Sequence, residues 1–462
     1  MLPVLRVMTK NMKSGTYNMT TGNPLKLIIS FAIPIMLTSL VQQFYNVADT
    51  YIVGKYISDD ALAAVGAVGP MSGLLVGLAM GLTDGFSIPV AQSFGAGDKK
   101  LTNHYAGNAI SLTIVATGVM TIISFILMKP ILRLMGTPSN IFQDAYTYVM
   151  INYLGMFTRT IYNVLAGILR ALGDSKSPLM FLSVCAVANV ILNYITIVPL
   201  KMGVFGAAIS TVLAQFISCV MCIIYVRRRN DIIYFSRDDF KIKKKTAVLM
   251  LTMGVPRALQ YSITSIGSMV LQTTINSYGS DYVAGWTVAN KPELLANIPL
   301  SATGVAVATF SGQNFGAGKM DRVRKGVRSA IIFSGCLSVV MSFVLYAFGD
   351  DIARLFLDGN NANAIFASKT YLQTIAIFYF ALAVLFVFRN ALQGIGKSYV
   401  SMMAGVAELA GRIVAALILS KFLGFAGVCL ASPFAWMFAD IPLLLIYYVK
   451  VVKKKGQKCF KD

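Results

Sequence analysis

The sequence predicts an all-α integral membrane protein, with twelve transmembrane helices in two parallel-repeat six-helix lobes around a central cavity. Three observations predict it. The 462 residues are 56% hydrophobic and 13% charged, with a mean hydropathy of +0.69, whereas soluble domains carry about 25% charged residues. Apolar stretches of roughly 20 residues, the length that crosses a bilayer, recur about twelve times along the chain. The second half also repeats the first at a nearly constant offset.

Taken in chain order, residues 1–24 form a polar tail without a small-residue cleavage site behind an apolar core, so it does not read as a signal peptide. The N-lobe, 25–226, holds spans at about 25–53, 61–92, 103–128, 141–169, 178–200 and 203–226. A basic linker follows at 227–245, RRRNDIIYFSRDDFKIKKK. The C-lobe, 246–450, holds spans at about 246–275, 283–311, 326–348, 366–388, 399–420 and 424–449, and a basic tail closes the chain at 451–462.

The formal charge of +21 invites a nucleic-acid partner, but its distribution argues against one. Of the 40 Lys and Arg residues, 29 fall on the side that holds both termini and 7 on the other. Arg159, Arg257, Lys291 and Arg412 are left inside spans. This is the positive-inside pattern, which predicts cytoplasmic termini in the cell's inner (plasma) membrane and basic loops against anionic lipid headgroups.

The repeat rests on four anchors. QSFGAGDKK (92–100) matches QNFGAGKMD (313–321) at an offset of 221, and Pro34 matches Pro256 at 222. Pro70 matches Pro292 at 222, and Leu172-Gly-Asp-Ser matches Ile395-Gly-Lys-Ser at 223. Six spans per unit is an even number, so the two lobes share one orientation about an axis along the membrane normal. Neither FGAG segment has the Lys-Ser/Thr of a phosphate-binding loop after it.

Thr38, Gln42, Asn46 and Asp49 are spaced by four, four and three residues, so they share one face of the first span. The repeat places Gln260, Thr264 and Ser268 at the first three equivalent positions of the seventh span, with Gln272 a turn further, but Asp49 maps to Leu271. Asn189 and Asn193 form an i, i+4 pair in the fifth span, and Thr211 and Gln215 another in the sixth. Such stripes are expected to line a hydrated cavity, because polar groups facing lipid are costly. The plainer reading of any single Thr or Gln is interhelical hydrogen bonding; an acid inside the membrane reads as functional.

The other intramembrane acids are Asp84, Glu293, Glu408 and Asp440. Glu408 and Arg412, at i and i+4, read as an internal ion pair. Lys291-Pro292-Glu293 reads as a helix break lining the C-lobe side of the cavity. Asp84 reads as contacting either the cavity or its cytoplasmic end, and Asp440, mid-span near Pro442, as either structural or functional. Cys219 and Cys222 lie in an apolar helix with no second CxxC, which favours packing over metal or redox chemistry. With one histidine, His104, no metal cluster and no Ser-His-Asp set can be assembled, so neither an enzyme nor a cofactor is expected.

QQFYNVADTYIVG in the first span, AQSFGAGD repeated as GQNFGAGK, ILRALGDSKSP and ALQGIGKS together resemble the multidrug and toxic compound extrusion (MATE) transporters over about residues 25–450. The resemblance implies export of cationic or amphipathic drugs and toxic metabolites in exchange for protons or sodium ions. It carries a cation-coupling site onto Asp49, Asn189, Thr211 and Tyr148. Asn193 stands where some members have a second Asp, which weakens the case for sodium. The NorM-like branch has a Glu near the place of Thr264; its absence here makes the pattern closest to the DinF-like branch.

The expected mechanism follows. Desolvation and hydrogen bonding from Asn189 act on the charge of Asp49 in opposite senses, a balance that permits exchange of a proton against a cationic substrate. Pro34 is the expected hinge, since a proline inside a helix removes a backbone hydrogen bond. Gln42, Asn46, Gln260, Thr264, Ser268, Glu293, Glu408 and Arg412 are expected around the substrate cavity. The chain is expected to act as a monomer. The alternative is a flippase for lipid-linked precursors, which requires a strongly cationic cavity.

Overall fold

The computed structural model describes residues 18–228, 233–356 and 361–453. The rest of the expected tails, the linker residues 229–232 and Cys459 lie outside the described residues.

Among the described residues the chain forms one short 3-10 turn, Arg237–Phe240, and twelve long helical runs. In the first half they are α1 (Pro24–Tyr56), α2 (Asp59–Ala67 then Gly69–Gly95), α3 (Lys99–Leu134), α4 (Ser139–Leu154 then Met156–Ala171), α5 (Lys176–Ile197) and α6 (Gly203–Arg228). In the second half they are α7 (Lys244–Asn276), α8 (Ser280–Gly316), α9 (Met320–Phe356) and α10 (Ala362–Ile377 then Tyr379–Gly394). They continue with α11 (Ser398–Val414, a π-helical turn and Ser420–Leu423) and α12 (Phe425–Cys429 then Ala431–Tyr447, closing in a π-helical turn). Among the described residues, nine helices are long and apolar enough to cross a membrane, and a tenth if the halves of α10, bent by 55°, count as one span. The two that fall short are α4, split at Gly155, and α7, which carries Arg257 and the polar stripe.

Local sequence sets the helix ends. Asn23 caps α1 by accepting from the backbone N–H of Leu25 and Lys26, with Pro24 at the first helical position. Asp98 caps α3 through the N–H of Leu101. The turn after each FGAG motif needs a left-handed residue, supplied by Gly97 at φ 78° and, 221 residues on, by Gly318 at φ 72°.

The lobes exchange the ends of two helices. Ile28, Phe31 and Ala32 of α1 pack in the core built from α8 to α12, while Met250 and Ala258 of α7 pack in the core of the first half. Pro34 and Pro256 sit at these crossovers.

The FGAG motifs themselves form a two-sided clasp between the lobes. Gln92 Nε2 donates to the carbonyl of Gly394 at 2.8 Å, and its repeat partner Gln313 Nε2 donates to that of Ala171 at 2.8 Å. Backbones meet so closely that a Cβ on Gly316 would lie 1.8 Å from the Gln92 carbonyl oxygen, and one on Gly95 would lie 1.9 Å from that of Gln313. Only glycine permits this approach.

Two expectations are corrected here. α8 runs unbroken from Ser280 to Gly316 with Pro292 and Pro299 inside it, so Lys291-Pro292-Glu293 is no helix break. Arg389, expected in a loop, is buried in α10 and pairs with Glu408 of α11, so the expected Glu408–Arg412 pair does not form. On a helix, residues i and i+4 can meet, but a better-placed partner on a neighbouring helix wins.

Candidate functional site

A cavity of about 470 Å³ lies between the lobes, within the range that holds drug-sized molecules. The stripe of α1 lines it with Thr38, Gln42, Asn46 and Asp49. Tyr148 of α4 and Thr211 of α6 also face it, and α7 and α8 contribute Tyr261 and Ser301. The clasp closes the end of the molecule that carries the FGAG motifs.

Asp49 is 9% exposed. Its carboxylate accepts a hydrogen bond from Asn193 Nδ2 at 2.6 Å. The same amide donates to Asn189 Oδ1 at 3.0 Å, and Asn189 Nδ2 in turn reaches the Thr211 hydroxyl at 3.4 Å. The Tyr45 hydroxyl extends this chain to Thr211 at 3.5 Å. Both asparagines are fully buried behind the cavity wall, and their i, i+4 spacing on α5 aims them at one spot. The four side chains Asp49, Asn193, Asn189 and Thr211 are thus joined in one network, and Tyr148 lines the cavity beside them.

The expected C-lobe residues lie elsewhere. Gln260 is buried and accepts from Arg257 Nη1 at 2.8 Å, while Gly405 of α11 brings that helix against its stem. Arg412 Nη1 donates to the backbone carbonyl of Thr264 at 2.9 Å and to the Ser268 hydroxyl at 3.4 Å. Glu293 accepts from the Tyr371 hydroxyl at 2.6 Å, with Tyr379 bonding Asn297 at 3.1 Å beside it. Glu408 is held by Arg389. None of these is among the residues lining the cavity.

Three lining features were not assigned from sequence. Asp84 of α2 pairs with Arg170 of α4 at 3.4 Å and both line the deep end. Tyr45, Tyr162 and Tyr261 give the wall aromatic faces. Arg159 of α4 also lines the cavity. Its position inside a span was the available signal for Arg159, but the sequence does not say which way α4 turns it.

Two helical lobes around a cavity lined by apolar, aromatic and a few charged side chains, closed at one end by interlocking backbones, define a multi-pass membrane transporter. The chain belongs to the MATE family: the MatE family model matches it twice, over residues 34–195 and 256–418. The two matches begin at Pro34 and Pro256, the crossover prolines. Among relatives, the probable multidrug resistance protein YpnP of Bacillus subtilis is 29% identical over 448 residues, covering 96% of this chain and 99% of that protein. YoeA, another probable multidrug resistance protein of B. subtilis, is 29% identical over 334 residues, 71% of this chain and 72% of its own. In fold the chain is similar to an outward-facing MATE transporter structure, with a TM-score of 0.90 at 24% identity, covering 96% and 100% of the two chains.

Proposed function

We propose that the protein is a secondary active antiporter that exports cationic or amphipathic drugs and toxic metabolites in exchange for protons, with sodium as the other candidate ion. The observation that carries this reading is the placement of Asp49: buried at the cavity wall, hydrogen-bonded by Asn193, and with no ion pair among the described residues. A carboxylate so held exchanges its counter-charge between a proton and a cationic substrate. Asn189, Asn193 and Thr211 set its geometry, and Tyr148 borders the substrate path. A single carboxylate in this network favours the proton, since a dehydrated metal ion takes several oxygen ligands.

Closure at the FGAG end with an accessible cavity suits an outward-facing state. Return to the inward-facing state requires the clasp to part, with Pro34 as hinge in the helix that carries Asp49. The proton then biases one state over the other by binding it more tightly. The protein acts as a monomer, since one chain supplies the whole cavity, and sits in the plasma membrane with both termini cytoplasmic and its basic loops against lipid headgroups. The sequence places it nearest the DinF-like branch. A flippase for lipid diphosphates would need a surplus of cations, whereas the charged lining here is two Asp and two Arg.

The test is a substrate panel in proteoliposomes with a pH gradient and a sodium gradient imposed separately. The reading expects uptake of a cationic dye under the pH gradient that collapses on adding a protonophore. Uptake that follows neither gradient would overturn it.

A further inference from the structure

The lining charges do not cancel in place. Of the four charged side chains facing the cavity, Asp84 and Arg170 neutralise each other at 3.4 Å. That leaves Asp49 on α1 and Arg159 on α4. They are not within ion-pair distance of one another, and Arg159 makes no hydrogen bond or ion pair among the described residues. Tyr45 and Tyr148 line the same cavity. The cavity therefore presents a carboxylate and a guanidinium at separate points, with aromatic rings in the same lining.

A half-buried guanidinium without a counter-ion has lost part of its water shell and gained nothing in return. It is a vacancy for an anion. Arginine also differs from lysine here: its planar fork matches a carboxylate with two parallel hydrogen bonds. We propose that Arg159 is the anion-recognising residue of the cavity, and that its preferred substrates are zwitterionic aromatic amphiphiles whose amine faces Asp49 and whose carboxylate docks on Arg159. This deepens the proposed function and rests on it. Exchange with the proton stays at the Asp49 end, where proton and amine compete, while Arg159 selects among amines by what they carry at the other end.

Rhodamine B carries a free carboxylate beside its cationic ring system; its ethyl ester lacks only that charge. The experiment measures fluorescence anisotropy of both dyes on the full chain in nanodiscs, for the wild type, Arg159→Gln and Arg159→Lys. The wild type is expected to bind rhodamine B about tenfold more tightly than the ester, equivalent to about 1.4 kcal/mol. Partitioning into lipid favours the more apolar ester, so it works against this result. Arg159→Gln should bring the ratio to about one, and Arg159→Lys should keep part of it. Equal affinities in the wild type, or a preference that survives Arg159→Gln, would overturn the proposal. The wild-type comparison alone decides if the Gln variant does not fold. The ratio is read at equilibrium with no gradient, so it stands or falls separately from ion-driven export.

Discussion

Asp49 and Leu271 occupy equivalent places in the two halves, 222 residues apart, and both are buried, at 9% and 5% exposure. One ends a polar stripe that opens on a cavity and meets Asn193 behind it. The other ends the matching stripe, but its neighbours form an apolar core. The same duplication has produced a cavity-lining face in one lobe and a packing face in the other. The C-lobe keeps many polar groups, yet they are spent on each other: Arg257 on Gln260, Arg412 on Thr264 and Ser268, Arg389 on Glu408. In a membrane interior a polar group with a partner is architecture. One that faces a cavity is available for chemistry.

Substitutions in the two lobes should therefore separate stability from transport. The largest effect on stability is expected from Glu408→Ala, which strands Arg389 in the C-lobe. Removing one partner of a buried ion pair costs about 3–5 kcal/mol, visible as a fall in Tm in detergent. A Tm within a degree or two of wild type would mean that the pair is not buried as described.

At the clasp the two lobes are used alike. Gly316→Ala and Gly95→Ala should impair the closed state equally, because each Cβ meets a backbone carbonyl. Overpacking of about 3 kcal/mol corresponds to roughly a hundredfold in transport rate. Unequal effects in the two variants would break the symmetry.

Asn193→Ala should cost about 1.5 kcal/mol, the lower end for a hydrogen bond to a charged group, and should shift the pH profile of efflux. The profile would stay fixed if Asn193 were only interhelical glue. Thr264→Ala should change stability by less than about 0.5 kcal/mol and leave efflux intact. Arg412 uses the backbone carbonyl of Thr264, and the Thr264 hydroxyl donates to the Gln260 carbonyl of its own helix.

Much of this was legible in the sequence. The offset of 221–223 residues paired Pro34 with Pro256 and one FGAG segment with the other; that these segments clasp the two lobes together came from the structure. The α1 stripe was legible because its period is helical and its end residue is an acid. What was not legible has two physical sources. Helix rotation about its own axis leaves no mark on spacing alone, so Gln260, Thr264 and Ser268 looked like a second cavity wall until α11 was seen to pack over Gln260. Depth is also ambiguous near a span's end. Arg389 lies one residue beyond the apolar stretch and read as a loop cation, which hid the partner of Glu408. Arg159 stood out as an intramembrane cation, but its exposure to the cavity depends on the turn of α4.

The most direct measurement is proton-driven efflux by Asp49→Asn and Glu293→Gln, assayed side by side in everted vesicles at matched expression. Both changes remove one acid and keep its shape, one at the cavity wall and one held inside the C-lobe by Tyr371. The account predicts that Asp49→Asn abolishes the response to the pH gradient while Glu293→Gln retains it. Near wild-type efflux by Asp49→Asn, or loss of efflux by Glu293→Gln alone, would contradict it.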